Sequence, residues 1–373
     1  MSEPTPIPPE RAPAALFNLA ARTAVVGLVV ALIASLVLMA WRALPALVVI
    51  FCGFLIALLL SGLADAISRR SRLGYRVSLA VGGLAVLLGI AGILWFVGDG
   101  LVRQMQGLGT ALPEGLSRAG ELVRGWVEGL GMGTLPELAD VVPSAGTLVS
   151  GAMGVVGSAV GILGSALFAL LLGVFFAATP ETYRRGMLHL IPRGRRARID
   201  EIATAVARGV HKWLLSRLAI MALTFCTSYI GLALIGVPFA GGLAVLSALV
   251  VFVPYVGPYI SGSAAALVAL LDGPQTALYT IAFYIGVESL QGWTIEPIIE
   301  ARATSAPAGL LLSAQLVLGL LLGALGVVLA SPLAVAATVM VQMLYVQDAL
   351  GDEVRVLGEP ARAGARPPRP ADV

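Results

Sequence analysis

Glu288 is the residue whose position most needs a chemical reason. It lies in "YTIAFYIGVESLQGWTIEPIIEAR" (residues 279–302), with Gln291 three residues on and Glu296 and Glu300 beyond. An ionised carboxylate at bilayer depth costs at least about 2.5 kcal/mol, so it must face a cavity or hold a proton. Such a group can serve as a proton or cation site. The competing reading is a carboxylate one turn from the interface that reaches out to water. Glu296 and Glu300, four residues apart beside a polar turn, read as solvated.

A second candidate is "VFVPYVGPYISG" (251–262), inside a run that carries no charge from Leu218 to Leu271. Pro254 and Pro258 bracket Tyr255, Val256 and Gly257. Each proline removes a backbone donor and pushes the residue before it out of the helical region. The expected result is an unwound stretch at 254–258, with free carbonyls and amides beside the hydroxyls of Tyr255 and Tyr259. Transporters bind ions and solutes at discontinuities of this kind. A kinked but continuous helix is the alternative, since neighbours can satisfy the freed groups. A second break is expected at Ser331-Pro332. Near it Gly319, Gly323 and Gly326 in "LGLLLGALGVVLASPLA" (318–334) suit close helix approach.

Enzyme chemistry finds little footing. There is no His-Glu-x-x-His and no Walker A sequence. The serines of "YISGSAA" lie in an apolar segment, while His189 and His211 fall in a polar connector. Cys52 and Cys226 sit in apolar runs and read as small hydrophobes, not as a disulfide or a metal site. No catalytic residue, metal or cofactor is expected. The net charge of +3 gives no reason to expect a nucleic-acid partner.

The elements that must hold these residues follow from composition. Of 373 residues, 58% are hydrophobic and 12% charged, against about 25% charged in soluble domains. The fold class is an all-α polytopic membrane protein with about eight apolar segments. They are 23–41, 46–64 after Pro45, 77–98, 155–178, 218–236, 239–272, 274–294 and 309–347. The sixth and eighth are the broken ones, either kinked spans or re-entrant hairpins. Residues 21–347 form the membrane domain. Polar, Pro-rich ends at 1–20 and 348–373 are expected to be disordered tails.

Within that domain, 99–150 is expected outside. Leu116, Leu122, Val123, Trp126 and Leu130 recur there at helical spacing, predicting amphipathic helices on a membrane surface. The connector 180–217 carries an amphipathic pattern at Ile199, Ile202, Val206, Trp213 and Leu214. Arg217, at the start of the fifth span, is expected to snorkel to the interface. The basic clusters "SRRSRLGYR" (68–76) and "YRRGMLHLIPRGRRAR" (183–198) predict cytoplasmic loops and both termini inside.

With these motifs in order, the C-terminal half resembles the autoinducer-2 exporter family of bacterial permeases. An aromatic PYxGP break is matched by Pro254, Tyr255, Val256, Gly257 and Pro258. A Gln/Glu-rich helix end running to proline is matched by Glu288, Gln291, Gly292 and Pro297. The GxxGxxxAxP pattern is matched by Gly323, Gly326, Ala330 and Pro332, and Pro307 stands before that segment. The motif likeness covers about 210–346. Ile298 and Ala301 depart from the basic residue and glycine usual after the proline, and Ser216-Arg217 from a Gly-Gln pair.

The resemblance implies a secondary transporter of the bacterial inner membrane that exports a small organic solute. Its pathway would be lined by Pro254, Tyr255, Gly257, Pro258, Glu288, Gln291, Pro297 and Pro332. Some relatives are associated with a quorum-sensing furanone and others with sodium–proton exchange, which makes a cation antiporter centred on Glu288 the rival. The resemblance also implies a homo-oligomer. A reading of another class is a membrane scaffold whose 99–150 region binds a partner.

Overall fold

The computed structural model describes residues 12–129, 159–295 and 307–352. Every regular element among them is helical. The chain divides into two compact units, Met1–Ile50 and Phe51–Val373. The described part of the first unit belongs to α1 (Ala12–Ser71), where Leu28, Ile33, Leu36 and Met39 are exposed. Apolar side chains turned outward in that number call for an apolar solvent, which a bilayer supplies. Pro45 lies inside α1, so the two spans expected on either side of it are not separated there. An apolar helix tolerates a proline where small local adjustments meet the freed carbonyl. The helix also begins at Ala12, within the stretch expected as a tail.

In the second unit, α2 (Tyr75–Gly129) continues without a stop from the expected third span into the acid-bearing stretch behind it. That stretch does not lie free on a surface along its whole length. Leu108 and Ala111 are buried in a cluster with Leu232, Leu243, Val268 and Ala277. Leu122, Val123 and Trp126, further on, are exposed. The buried pair is not in the stripe read from the spacing, of which Leu130 lies outside the described residues; spacing alone does not say whether lipid or protein covers a helix face.

Next come α3 (Ala159–Ala178) and α4 (Pro180–His189), bent by 83° where Pro180 opens the second helix. α5 (Arg196–Ile235) runs unbroken from the basic connector into the apolar fifth span. It stops at Gly236, whose φ of 86° is the left-handed cap that glycine adopts without strain. The Gly236 N–H donates to the Leu232 carbonyl at 3.0 Å. Arg217 therefore falls inside a helix and is 3% exposed, covered by protein. Within the connector α4 ends at His189, because Pro192 stops it from continuing and the following turn starts a new helix.

The long apolar segments fold back on themselves. α6 (Ala240–Val250) and α7 (Gly257–Ala269) are joined by the non-helical stretch Val251–Val256. Leu243 near the start of α6 and Val268 near the end of α7 share one core cluster, so the pair is an antiparallel hairpin with the break at its tip. α8 (Pro274–Leu290) packs on α7 and passes into a π-turn at Gln291–Ile295. α9 (Ala308–Leu322) and α10 (Ala324–Val341) form a second hairpin, and α10 ends in a π-turn at Gln342–Gln347.

The second hairpin corrects an expectation. Its turn is at Gly323, with φ 65° and ψ −147°, a conformation open to glycine and strained for other residues. Ser331 and Pro332 lie buried within continuous α10. A proline deletes one helical bond, whereas that backbone conformation reverses the chain outright. The hairpin is tight: a Cβ on Gly319 would meet Val327 Cγ2 at 2.8 Å.

Among the described residues three helices are long and apolar enough to cross a bilayer, Gly27–Ser71, Arg193–Ile235 and Ala324–Gln347. The bent pair α3–α4, counted as one span, makes four. Others of the eight expected segments are shorter apolar helices, among them Tyr75–Leu88, Ala240–Val250 and Ala308–Leu322.

Candidate functional site

The site is built by the break. The Pro254 carbonyl would ordinarily accept from the N–H four residues on, but that residue is Pro258, which has none. The chain answers with a tight turn. Tyr255 takes φ 66°, and the Val256 N–H donates back to the Pro254 carbonyl at 2.8 Å. A three-residue turn of this hand is rare and strained for a side-chain-bearing residue. Helix resumes at once: the Gly257 N–H donates to Val253 at 3.0 Å, and Pro258 occupies the first turn of α7, where a missing N–H costs nothing. The unwound residues are thus Val251–Val256, shifted towards the N-terminus from the expected 254–258.

This turn borders a cavity of about 690 Å³. Pro254 and Tyr255 line it from the break and Pro258 and Tyr259 from α7, while α8 contributes Tyr284 and Glu288. Arg217 comes in from α5. Tyr284 is anchored by its hydroxyl, 2.9 Å from the Ser247 Oγ on α6. A buried guanidinium, a carboxylate and three tyrosines on one wall can bind a polar solute of modest size, holding it by charge and by hydroxyl hydrogen bonds.

The expected site residues do not share one environment. Pro254, Tyr255, Pro258 and Glu288 line the cavity. Gly257 stands behind the wall, where an added Cβ would come within 2.6 Å of the Val251 Cα. Gln291 faces α5: Thr224 Oγ1 donates to its Oε1 at 3.2 Å, and its Nε2 donates to Thr227 Oγ1 at 3.0 Å. Gln291 ties α8 to α5 at the start of the π-turn; one wider turn there re-aims the residues that follow. Pro332 is packed inside α10 and does not border the cavity. Pro297, with Glu296 and Glu300, lies outside the described residues.

Two residues were missed as site candidates. Arg217 is the last charge before the run to Leu271, and a cation at that edge is a functional candidate by default. Gln315 is a lone amide in the apolar run of α9; its Nε2 donates to the Pro254 carbonyl at 3.2 Å. The signal for both was polarity at membrane depth.

A family model for AI-2E transporters matches residues 27–345 of the chain. The chain belongs to the AI-2E transporter family. Two relatives carry provisional names as transport proteins. YueF of Bacillus subtilis is 29% identical over 104 residues, 28% of this chain and 28% of its own. MT0215 of Mycobacterium tuberculosis is 37% identical over 103 residues, 27% of this chain and 28% of its own. Each of these two matches thus spans little more than a quarter of either partner. As an AI-2E transporter with long apolar helices, the protein is a multi-pass membrane protein, and the bilayer is its solvent.

Proposed function

We propose that this AI-2E transporter is a secondary exporter of a small organic solute in the bacterial inner membrane, and that the solute binds in the cavity at the Val251–Val256 break. The observation that carries the reading is one cavity bordered by an unwound, strained turn, by the buried Arg217 and by the half-buried carboxylate of Glu288. Half-length arms support a re-entrant role for α6–α7. They are 11 and 13 residues long, so each reaches about 16–20 Å, roughly half to two-thirds of the hydrocarbon thickness. The tip with Tyr255 would then lie near mid-depth, where transporters place their sites.

The basic start of α5 goes to the cytoplasm on the positive-inside rule. Asp348 accepts from Arg198 there, which argues for a C-terminal end on the same side.

The test is flux in proteoliposomes of wild type against Glu288→Gln, with candidate organic solutes and a pH-sensitive dye inside. Export predicts solute movement that the variant loses. Sodium-dependent proton movement without solute would favour the antiporter that a cavity carboxylate also suits. No movement of either kind would overturn transport through this cavity and favour a scaffold.

A further inference from the structure

We infer that Gln315 is a positioning residue that ties the α9–α10 hairpin to the tip of the α6–α7 hairpin, so that the two must move together or the strained turn must let go. The inference rests on the cavity being the transport path. The turn at Tyr255 exists because Pro258 leaves the Pro254 carbonyl without its helical donor. Two donors have replaced it: the Val256 N–H from within the turn and the Gln315 Nε2 from α9. The second comes from a different hairpin. Gln315 is 4% exposed, so water does not compete for the bond.

The rest of α9 makes this bond matter more. α9 packs chiefly against α10, and its buried positions are Leu311 and Gln315. Gly326 is pressed against the Leu318 backbone, so α9 and α10 move as one body. α10 also packs along α5, and the Gln315 amide is the buried hydrogen bond that joins this body to the break at the cavity edge. The amide is also half used: the Gln315 Oε1 has no hydrogen-bond partner among the described residues. An unsatisfied buried acceptor calls for a reason. A contact that must be made and released during transport supplies one, because an amide with a spare acceptor has a second way to bond once the Pro254 carbonyl withdraws.

The test reads the cavity directly and needs no known solute. In full-length protein carrying Cys52→Ala and Cys226→Ala, Ser263→Cys puts a small thiol on the cavity wall. Its rate of reaction with N-ethylmaleimide is measured in proteoliposomes, each Gln315 variant against its Gln315 parent at the same pH. Gln315→Leu removes the donor and is expected to change the rate about fivefold at every pH, the worth of one hydrogen bond. Gln315→Glu can donate when its carboxyl is protonated and cannot when ionised. Burial at this position raises the carboxyl above its ordinary range, so the variant's rate should match the parent at about pH 5 and move towards that of the leucine variant at about pH 8.

A ratio in Gln315→Glu that does not vary with pH, whatever its level, overturns the inference. So does a leucine variant that reacts like its parent. Should the leucine variant not be recovered folded, the acid-to-alkaline change in Gln315→Glu decides alone. Solute flux enters none of these readings. Absence of flux in the wild type would therefore sink the transport reading and leave the labelling result standing.

Discussion

Arg217 and Glu288 reach one cavity from different helices, Glu288 from an otherwise apolar span and Arg217 from the edge of an uncharged run. A cation 3% exposed is retained against a steep desolvation cost. Arg217→Gln keeps hydrogen-bonding capacity and removes the charge. A charge-assisted contact is worth about 1.5–3 kcal/mol, so flux in proteoliposomes should fall at least about tenfold. Flux at the wild-type rate would show that the guanidinium is a packing element only. Gly257 makes a different kind of demand. An alanine methyl there would meet Val251 Cα at 2.6 Å and Val250 C at 2.8 Å, both backbone atoms that cannot rotate away. Gly257→Ala should cost about 1–3 kcal/mol of overpacking and lower the melting temperature in detergent. Gly186→Ala, with open space around it, is the control. Equal melting of the two variants would contradict the close approach.

At the scale of the element, the α6–α7 hairpin owes its tip to two prolines four residues apart. Replacing both restores the N–H at position 258 that the Pro254 carbonyl lacks, and helix propensity improves by about 3 kcal/mol per proline. Pro254→Ala with Pro258→Ala should therefore insert and melt no lower than wild type, yet lose flux. The tip residues could then extend α6 or α7, and Tyr255 would leave the cavity wall. Retained flux in the double variant would mean that the strained turn has no part in transport. The α9–α10 hairpin follows another rule. Its reversal belongs to Gly323, where the backbone conformation itself turns the chain, while Pro332 rides inside α10.

For the whole molecule, the question is which ends share a side of the bilayer. Arg198 near the start of α5 binds Asp348 after α10, with Nε 3.1 Å from Oδ1, and Ile202 and Ala205 pack with Val339 and Met343. At the other end, Gln104 on α2 accepts from the Gly242 N–H at 2.6 Å, capping the start of α6 beside the end of α5. α5 runs between these two groups. In the background lacking both native cysteines, Gly194→Cys and Ala349→Cys should react with an impermeant maleimide from the cytoplasmic side alone. Ser117→Cys should react from the outside alone. The order follows from the arginines around Arg193–Arg198. Labelling of Gly194→Cys and Ala349→Cys from opposite sides would break the arrangement.

Composition alone dictated a helical membrane chain, because apolar runs in hydrocarbon must satisfy their own backbone and helices do so locally. The Pro254–Pro258 break was legible for the same reason: a missing N–H is a property of the residue. So was the interest of Glu288, since a lone carboxylate in an apolar run is costly wherever the chain folds. What the sequence left open was every matter of facing. Pro332 read as the breaker and Gly323 as a point of close helix approach, yet it is the glycine that turns the chain and the proline that does not. The acid-bearing stretch of α2 read as a membrane face, and Leu108 and Ala111 within it pack instead against the neighbouring hairpin. Gln291 turned to Thr224 and Thr227 and away from the cavity, while Arg217 turned in. Gln315 met a carbonyl 61 positions away. Helix formation is a matter of nearest neighbours, but the rotation of a helix about its axis is set by contacts between residues distant in the chain, which no local pattern encodes.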